Sequence, residues 1–291
     1  MSERPLVVGI DVAASRPCVG VALQPLSSGG RVGVASWHES LPAVAAGSRS
    51  RRAHGEQATG GSGAGEGRAA AKQPRVKAPP DLLDWLDGLR PSPSVVAVDA
   101  PQGFNRRLLE KPGAGGHRSR VCDYELLRRR LGVYQVPSRA EVGADPGKLP
   151  AWMAVGLDIF AALRRRGYEP PADGALPGGL GQPPAMLEVY PYAGFVSLLG
   201  RTLTRKTTRE GARLRVAALR AEGVLWDRGG GDEYYDHDSL DALAAALTGW
   251  RFFQGAAHRL GDPREGFIWL PVSAERFDEV APLPGDVTET G

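Results

Sequence analysis

Short apolar runs separated by turn residues fill the first 40 positions of the chain. They lie at Leu6–Val12, Cys18–Gln24 and Arg31–Trp37 and are dense in Val, Ile and Leu. Segments rich in Pro, Gly and Ser separate them, and this combination is typical of β-strands. The pattern predicts three consecutive antiparallel strands.

A helical pattern and a fully apolar strand follow after residue 78. Pro79-Pro80-Asp81 has the composition of a helix start, and an apolar stripe continues from Leu82 to Leu89. Ser94–Asp99 is apolar at nearly every position, which indicates a strand buried on both faces. The order of elements is then β-β-β-α-β.

The remaining sequence alternates between helical and loop patterns. Helices are predicted at Asp123–Leu131, Trp152–Arg166, Thr208–Gly223 and Asp238–Phe253, and a strand at Ala185–Val189. Clusters of Gly and Pro at 112–116 and 170–184 predict loops. We expect one α/β domain over residues 1–281 with a five-stranded mixed sheet, in the order β-β-β-α-β-α-β-α. Loop and helix insertions are expected at about 102–184, and a polar, flexible tail at 282–291.

The positive charge of the chain is concentrated in residues 44–77. This segment holds seven Lys or Arg against two Asp or Glu, so the rest of the chain carries −2 of the overall +3. The segment is rich in Gly, Ala, Ser and Arg, without an aromatic residue or a periodic pattern, and is predicted to be disordered. A tolerated surface insertion is favoured over a basic arm that contacts phosphates. The net charge is therefore poor evidence for a basic nucleic-acid groove.

Two classes of protein are disfavoured by local features. No apolar run approaches the 18 or so residues that cross a bilayer, and Asp11 interrupts the first apolar run too early for a secretory signal. We therefore expect a cytoplasmic protein without a membrane partner. Cys18 and Cys122 are far apart, which argues against a disulfide framework or a cysteine zinc site.

Four aspartates occupy positions from which they could converge. Asp11 and Asp99 end two predicted strands, while Asp238 and Asp241 lie about 60° apart on one edge of the last helix. Such a cluster is costly unless cations neutralise it, and carboxylate oxygens suit Mg²⁺ or Mn²⁺. Two ions about 4 Å apart can cleave phosphodiesters. Taken singly, each Asp is more often a helix cap or turn former; together they favour a catalytic metal site.

Several sequence blocks resemble a known family. They are Val-Val-Gly-Ile-Asp11, Val-Ala-Val-Asp99-Ala-Pro-Gln-Gly-Phe104, Arg120-Val-Cys-Asp123, Glu188-Val-Tyr-Pro191, Arg205-Lys-Thr-Thr208 and His237-Asp-Ser-Leu-Asp-Ala-Leu243. In this order they are similar to domain-of-unknown-function family 429, whose members are predicted nucleases of the RNase H-like fold. The Asp-x-x-Asp helix is also similar to that of Holliday-junction resolvases. The resemblance implies an RNase H-like fold and metal-dependent cleavage of nucleic acid, DNA or RNA.

Other side chains are candidates for catalysis or substrate binding, but each also has an equally simple structural explanation. Glu188, at a strand end, could complete the carboxylate set or form an ordinary ion pair. The segment Arg205, Lys206, Thr207 and Thr208 could bind phosphate or be a solvated turn with a Thr cap. Arg118 and Arg120, with Asp123, could face the substrate or pair on the surface. His237 could be a base or a ligand, although a lone His is more often neither.

Two rival functions remain open beside a two-metal nuclease. A non-catalytic nucleic-acid or protein-binding module could retain the same fold, and the charge of −2 outside the insert mildly favours it. A phosphotransferase of the sugar-kinase and actin class is less favoured. Gly9–Ser15 faintly resembles its first phosphate loop, but that class needs two such domains and the sequence shows no second copy.

Overall fold

The computed structural model describes residues 4–27, 30–42, 77–109, 119–172, 183–226 and 236–282. The strands are β1 Val7–Asp11, β2 Val19–Pro25, β3 Val32–Glu39, β4 Val95–Asp99, β5 Ala185–Val189, β6 Val224–Leu225, β7 His258–Asp262 and β8 Gly266–Leu270. The helices are α1 Pro80–Gly88, α2 Val121–Arg128, α3 Arg139–Ala144, α4 Ala151–Arg165, α5 Pro191–Leu199, α6 Arg209–Ala221, α7 His237–Phe253 and α8 Ala274–Val280, with a 3-10 turn at Pro146–Lys148. No helix in these ranges is long and apolar enough to span a membrane.

The strands form one mixed sheet in the order β6-β3-β2-β1-β4-β5-β8-β7. β1 is antiparallel to β2 and parallel to β4, and β5 continues the parallel part. In the β1–β4 pair Asp11 lies directly opposite Asp99. The carboxyl ends of two central strands therefore end side by side, each on an aspartate.

Helices cover both faces of these central strands. Val7 and Val95 pack into the core formed with α6 and α7, whereas Val8 and Val96 pack into the core formed with α1 and α4. Successive side chains of a strand point to opposite faces, so both sets must be apolar. This explains why β1 and β4 read as unbroken apolar runs.

Gly9 allows α7 to lie directly on β1. A Cβ atom at this position would be 2.2 Å from both the Ala242 carbonyl oxygen and the Ala246 backbone nitrogen. Only glycine leaves room for the helix backbone at that distance. The close approach carries the first two turns of α7 over the carboxyl end of β1.

The structure confirms a mixed α/β fold but corrects the five-stranded sheet to eight strands. The five predicted strands are present, their ends shifted by at most two residues, and Leu6–Val12 and Ser94–Asp99 supply neighbouring strands as expected. β6, β7 and β8 were not predicted, because β6 has two residues and the β7–β8 hairpin contains Gly261 and Gly266 at positive φ. Helices α3, α5 and α8 were not predicted either.

Some of the sequence predictions concern residues that the structure does not describe. Residues 44–76 of the predicted disordered insert, nearly all of the tail, Arg118 and most of the two Gly/Pro clusters lie outside the described residues. The described part of the 102–184 insertion contributes α2, α3 and α4.

Candidate functional site

Three carboxylates meet at the carboxyl end of the central strands. Asp11, Asp99 and Asp241 each offer an oxygen that lies within 4.8 Å of the others. The parallel pairing of β1 and β4 places the first two side by side, and α7 supplies the third as it crosses β1. The sequence predicted this convergence for these three residues, and the structure brings them together.

Burial makes this cluster electrostatically unfavourable, and the nearby cations Arg16 and Lys206 offset only part of the cost. Asp11 and Asp241 are buried and Asp99 is partly buried. Burial, and then the negative charge of Asp241, raises the pKa of Asp11 to about 7. Burial, and then Asp11, raises the pKa of Asp99 well above its ordinary value. The Oδ2 atom of Asp11 is buried without a hydrogen-bond partner, so the cluster offers an unused oxygen ligand.

Asp238 is not part of this cluster, contrary to the predicted convergence of four aspartates. It forms an ion pair with Arg16, and its Oδ1 lies 3.2 Å from His237 Nε2. The true N-cap is Asp236, whose Oδ1 accepts from the Asp238 and Ser239 backbone nitrogens. Residues i and i+3 share a helix edge but are displaced by about 4.5 Å along the axis. Of the two, only Asp241 reaches the strand ends.

Glu188 belongs to a separate buried ion group. Arg120 Nη2 donates to Glu188 Oε1 at 2.6 Å, and its Nε donates to Asp123 Oδ2 at 2.9 Å. Arg120 is 1 % exposed, so it is neither a surface pair nor part of an exposed loop. Glu188 Oε2 also accepts from the Gln102 backbone nitrogen at 2.7 Å. The group therefore ties together the ends of β4, β5 and α2 beneath the carboxylate cluster.

The residues of the predicted phosphate-binding segment, 205–208, have different roles in the structure. Lys206 Nζ donates to Asp241 Oδ2 at 2.6 Å and so already contacts the cluster. Thr208 is the N-cap of α6 and accepts from the Gly211 backbone nitrogen. Arg205 is exposed at the cleft, whereas Thr207 is exposed and does not line it.

A cleft of about 930 Å³ opens above the cluster. All three carboxylates line it, with Arg16 and Arg205 nearby, and its apolar wall includes Tyr134 and Trp152. Tyr134 is 70 % exposed, and its ring meets that of Trp152 edge to face, with ring centres 5.6 Å apart. An exposed aromatic face thus stands in the same cleft as the acidic cluster.

Sequence reasoning missed four residues that line this cleft: Arg16, Tyr134, Trp152 and Arg215. Arg16 lies five residues after Asp11 in the connection between β1 and β2, and its Nη2 is 3.8 Å from Asp11 Oδ2. Proximity in sequence was therefore a usable signal. The other three come from distant elements, and no local motif marks them.

Comparisons with known proteins give one family match. No curated protein and no solved structure matches the chain. A family model described as "Protein of unknown function (DUF429)" matches residues 9–266. That span contains the three clustered aspartates, the Arg120 ion group and strands β2 to β7. It omits the first two residues of β1 and includes only Gly266 of β8. The chain is a member of the DUF429 family.

Proposed function

We propose that this protein is a divalent-metal-dependent nuclease that hydrolyses phosphodiester bonds in DNA or RNA. The observation that carries the proposal is the cluster of Asp11, Asp99 and Asp241 at the edge of an accessible cleft. Three carboxylates in one partly buried site are expensive as a structural feature, because burial and the neighbouring negative charges raise the pKa of Asp11 and of Asp99. They are what a divalent cation requires as ligands.

The donor set suits Mg²⁺ or Mn²⁺. All three donors are hard oxygen atoms, and Asp11 Oδ2 accepts no hydrogen bond and has only a long contact with Arg16, at 3.8 Å. Asp11, Asp99 and Asp241 would hold the metal. When bound, a divalent cation neutralises the cluster, polarises a phosphoryl oxygen and lowers the pKa of the attacking water.

The surrounding side chains suit a nucleic-acid strand. Lys206 and Arg16 lie beside the carboxylates and can pair with phosphate oxygens at the cleaved position. Tyr134 and Trp152 offer aromatic faces on which bases stack, each stacked base contributing about 1–3 kcal/mol. Aromatic side chains in the cleft can stack only on bases that are not already paired and stacked in a duplex. We therefore infer a preference for single-stranded or locally unpaired substrate.

The strand order supports an RNase H-like assignment as part of this proposal. Three antiparallel strands, β1, β2 and β3, precede a helix and two strands parallel to β1. The sheet order β3-β2-β1-β4-β5, with helices on both faces, is consistent with that fold. In this interpretation β6, β7 and β8 are additions at the two edges.

A cleavage assay tests the proposal. Labelled single-stranded, duplex and branched DNA, and single-stranded RNA, are incubated with protein in Mg²⁺, Mn²⁺, Ca²⁺ or EDTA. We expect cleavage in Mg²⁺ or Mn²⁺ that falls by at least about 100-fold in Asp11→Asn and Asp99→Asn. Asp278→Asn, an exposed carboxylate on α8, is the matched control and should retain full activity.

Calorimetric titration of Mg²⁺ and Mn²⁺ separates catalysis from simple binding. It counts the ions bound by the wild type and shows whether Asp11→Asn removes them. If the wild type cleaves no substrate and shows no metal-induced rise in melting temperature, the nuclease proposal is wrong. Binding of oligonucleotide without cleavage would then favour the binding-module alternative.

A further inference from the structure

Arg215, on α6, is a buried cation that lines the cleft without an acidic partner. It is 3 % exposed. Its Nη1 donates to the Gly211 carbonyl at 2.8 Å and, more weakly, to the Thr204 carbonyl at 3.4 Å. Its Nε is buried without a hydrogen-bond partner. Within the described ranges no carboxylate lies within ion-pair distance of its guanidinium.

Arg120, the other deeply buried arginine that lines this cleft, has its positive charge compensated by carboxylates. Arg120 is bonded to two carboxylates through all three of its guanidinium nitrogens. Arg215 has only carbonyl partners and an aromatic ring, with its guanidinium carbon 5.4 Å from the Phe195 ring centre. Burial lowers the pKa of Arg215, but a guanidinium keeps its proton in proteins. Its charge therefore persists. Asp241 is close enough to act on it electrostatically, but no carboxylate among the described residues forms an ion pair with it.

We propose that Arg215, together with Arg205, forms a binding subsite for a substrate phosphate next to the scissile position. Thr204, Arg205, Lys206 and Asp241 also line the cleft, and the Thr204 carbonyl oxygen lies 3.4 Å from Arg215 Nη1. Lys206 is engaged by Asp241, whereas Arg205 is exposed and makes no ion pair among the described residues. The planar fork of a guanidinium matches two phosphate oxygens. The identification of this anion as a phosphodiester rests on the proposed nuclease function.

The position of the subsite gives it a role distinct from that of the carboxylate cluster. The carboxylates attract cations and repel a bare phosphate, so an anion needs separate cationic contacts to enter the cleft. The guanidinium is already largely desolvated and is held by the Gly211 carbonyl and the Phe195 ring. A phosphate placed against it would displace no ion pair with any of the described carboxylates. The subsite thus positions the strand, while the acidic cluster acts on the neighbouring phosphodiester.

Binding of inorganic phosphate tests this subsite without any cleavage. Melting temperature and calorimetric affinity are measured in EDTA at low ionic strength, with phosphate and with a thymidine dinucleoside monophosphate. Its uncharged methylphosphonate counterpart serves as the ligand control. We expect Arg215→Met to weaken phosphate binding at least about tenfold, the loss expected for hydrogen bonds to a charged group. Arg215→Lys should retain part of the affinity.

Arg213→Met, an exposed change of the same charge on α6, is the matched control and should bind phosphate like the wild type. If Arg215 only ties the Thr204 segment to α6, Arg215→Met lowers the melting temperature but leaves the phosphate-induced rise intact, and the proposal is overturned. It is also overturned if the wild type does not bind phosphate or binds the methylphosphonate equally well.

A kinetic arm separates this inference from the proposed function. On an oligonucleotide substrate, Arg215→Met should raise KM with kcat nearly unchanged, because the contact is made equally in the ground and transition states. Arg215-dependent phosphate binding without any cleavage would remove the nuclease proposal and leave an anion site. Cleavage by the wild type with phosphate binding that ignores Arg215 would remove the subsite alone.

Discussion

Replacing Asp11 by Asn should stabilise the metal-free protein at neutral and higher pH. The carboxylate is buried, its Oδ2 has no hydrogen-bond partner, and the nearest cation, Arg16, is 3.8 Å away and partly exposed. Burial and the charge of Asp241 raise its pKa from 3.8 to about 7. Asparagine has nearly the same shape and carries no charge, so it removes the repulsion and leaves the packing unchanged.

The size and sign of the effect follow from proton linkage. Because the folded pKa is above the unfolded one, stability is highest below pH 3.8 and falls as the pH rises toward 7, where the loss is complete. Each pKa unit corresponds to about 1.4 kcal/mol, which sets a maximum of about 4 kcal/mol. The neighbouring carboxylates compete for the same protons, so about 2–4 kcal/mol is expected at pH 8. For a chain of this size that corresponds to roughly 5–10 °C in melting temperature.

The assay compares thermal and denaturant unfolding of both proteins at pH 4, 6 and 8 in EDTA, and then in Mg²⁺ or Mn²⁺. The advantage of Asp11→Asn should be small at pH 4, grow with pH, and disappear when metal is added, because metal stabilises only the wild type. Asp278→Asn removes a largely exposed carboxylate that pairs with Arg129, so it should differ from the wild type by no more than about 1 kcal/mol, and the difference should not grow between pH 6 and pH 8. A variant less stable than the wild type at pH 8 in EDTA, or a difference independent of pH, would refute the reasoning.

Three further predictions concern the same framework. Asp241→Asn should abolish the metal-induced rise in melting temperature while Asp238→Asn retains it, and equal effects in differential scanning fluorimetry would contradict the separation of the two residues. Arg120→Met should cost about 3–5 kcal/mol in urea unfolding, because it leaves two buried carboxylates without their cation; an unchanged midpoint would show that this ion group adds no stability. Gly9→Ala should cost about 3 kcal/mol or more through its clash with the α7 backbone, whereas Gly132→Ala, where nothing lies within 4 Å, should unfold like the wild type.

The local sequence was sufficient for the elements that rest on a repeated pattern. β1 and β4 are apolar on both faces because helices cover both sides of the sheet, and this burial is visible as unbroken runs ending in Asp11 and Asp99. The long apolar periodicity of α7 likewise marked the helix that supplies Asp241. These three positions could be named as part of a predicted cluster of four aspartates, because strand ends and a helix start are set by short-range physics.

The features that the sequence could not predict depend on contacts between residues that are distant in the chain. Glu188 could be a ligand or an ion-pair partner, and only the fold places Arg120, 68 residues earlier, against it. Strand β8 of the β7–β8 hairpin pairs with β5 through backbone hydrogen bonds. These short strands contain glycine and have no alternating apolar pattern, so the sequence did not predict them. Asp238 and Asp241 lie on the same edge of α7 and could not be distinguished in the sequence. Gly9 allows α7 to pack closely against β1, and in this position only Asp241 joins Asp11 and Asp99 at the strand ends. Tertiary structure decided these points because burial and charge compensation belong to pairs of residues, whereas a sequence pattern reports each residue's own preference.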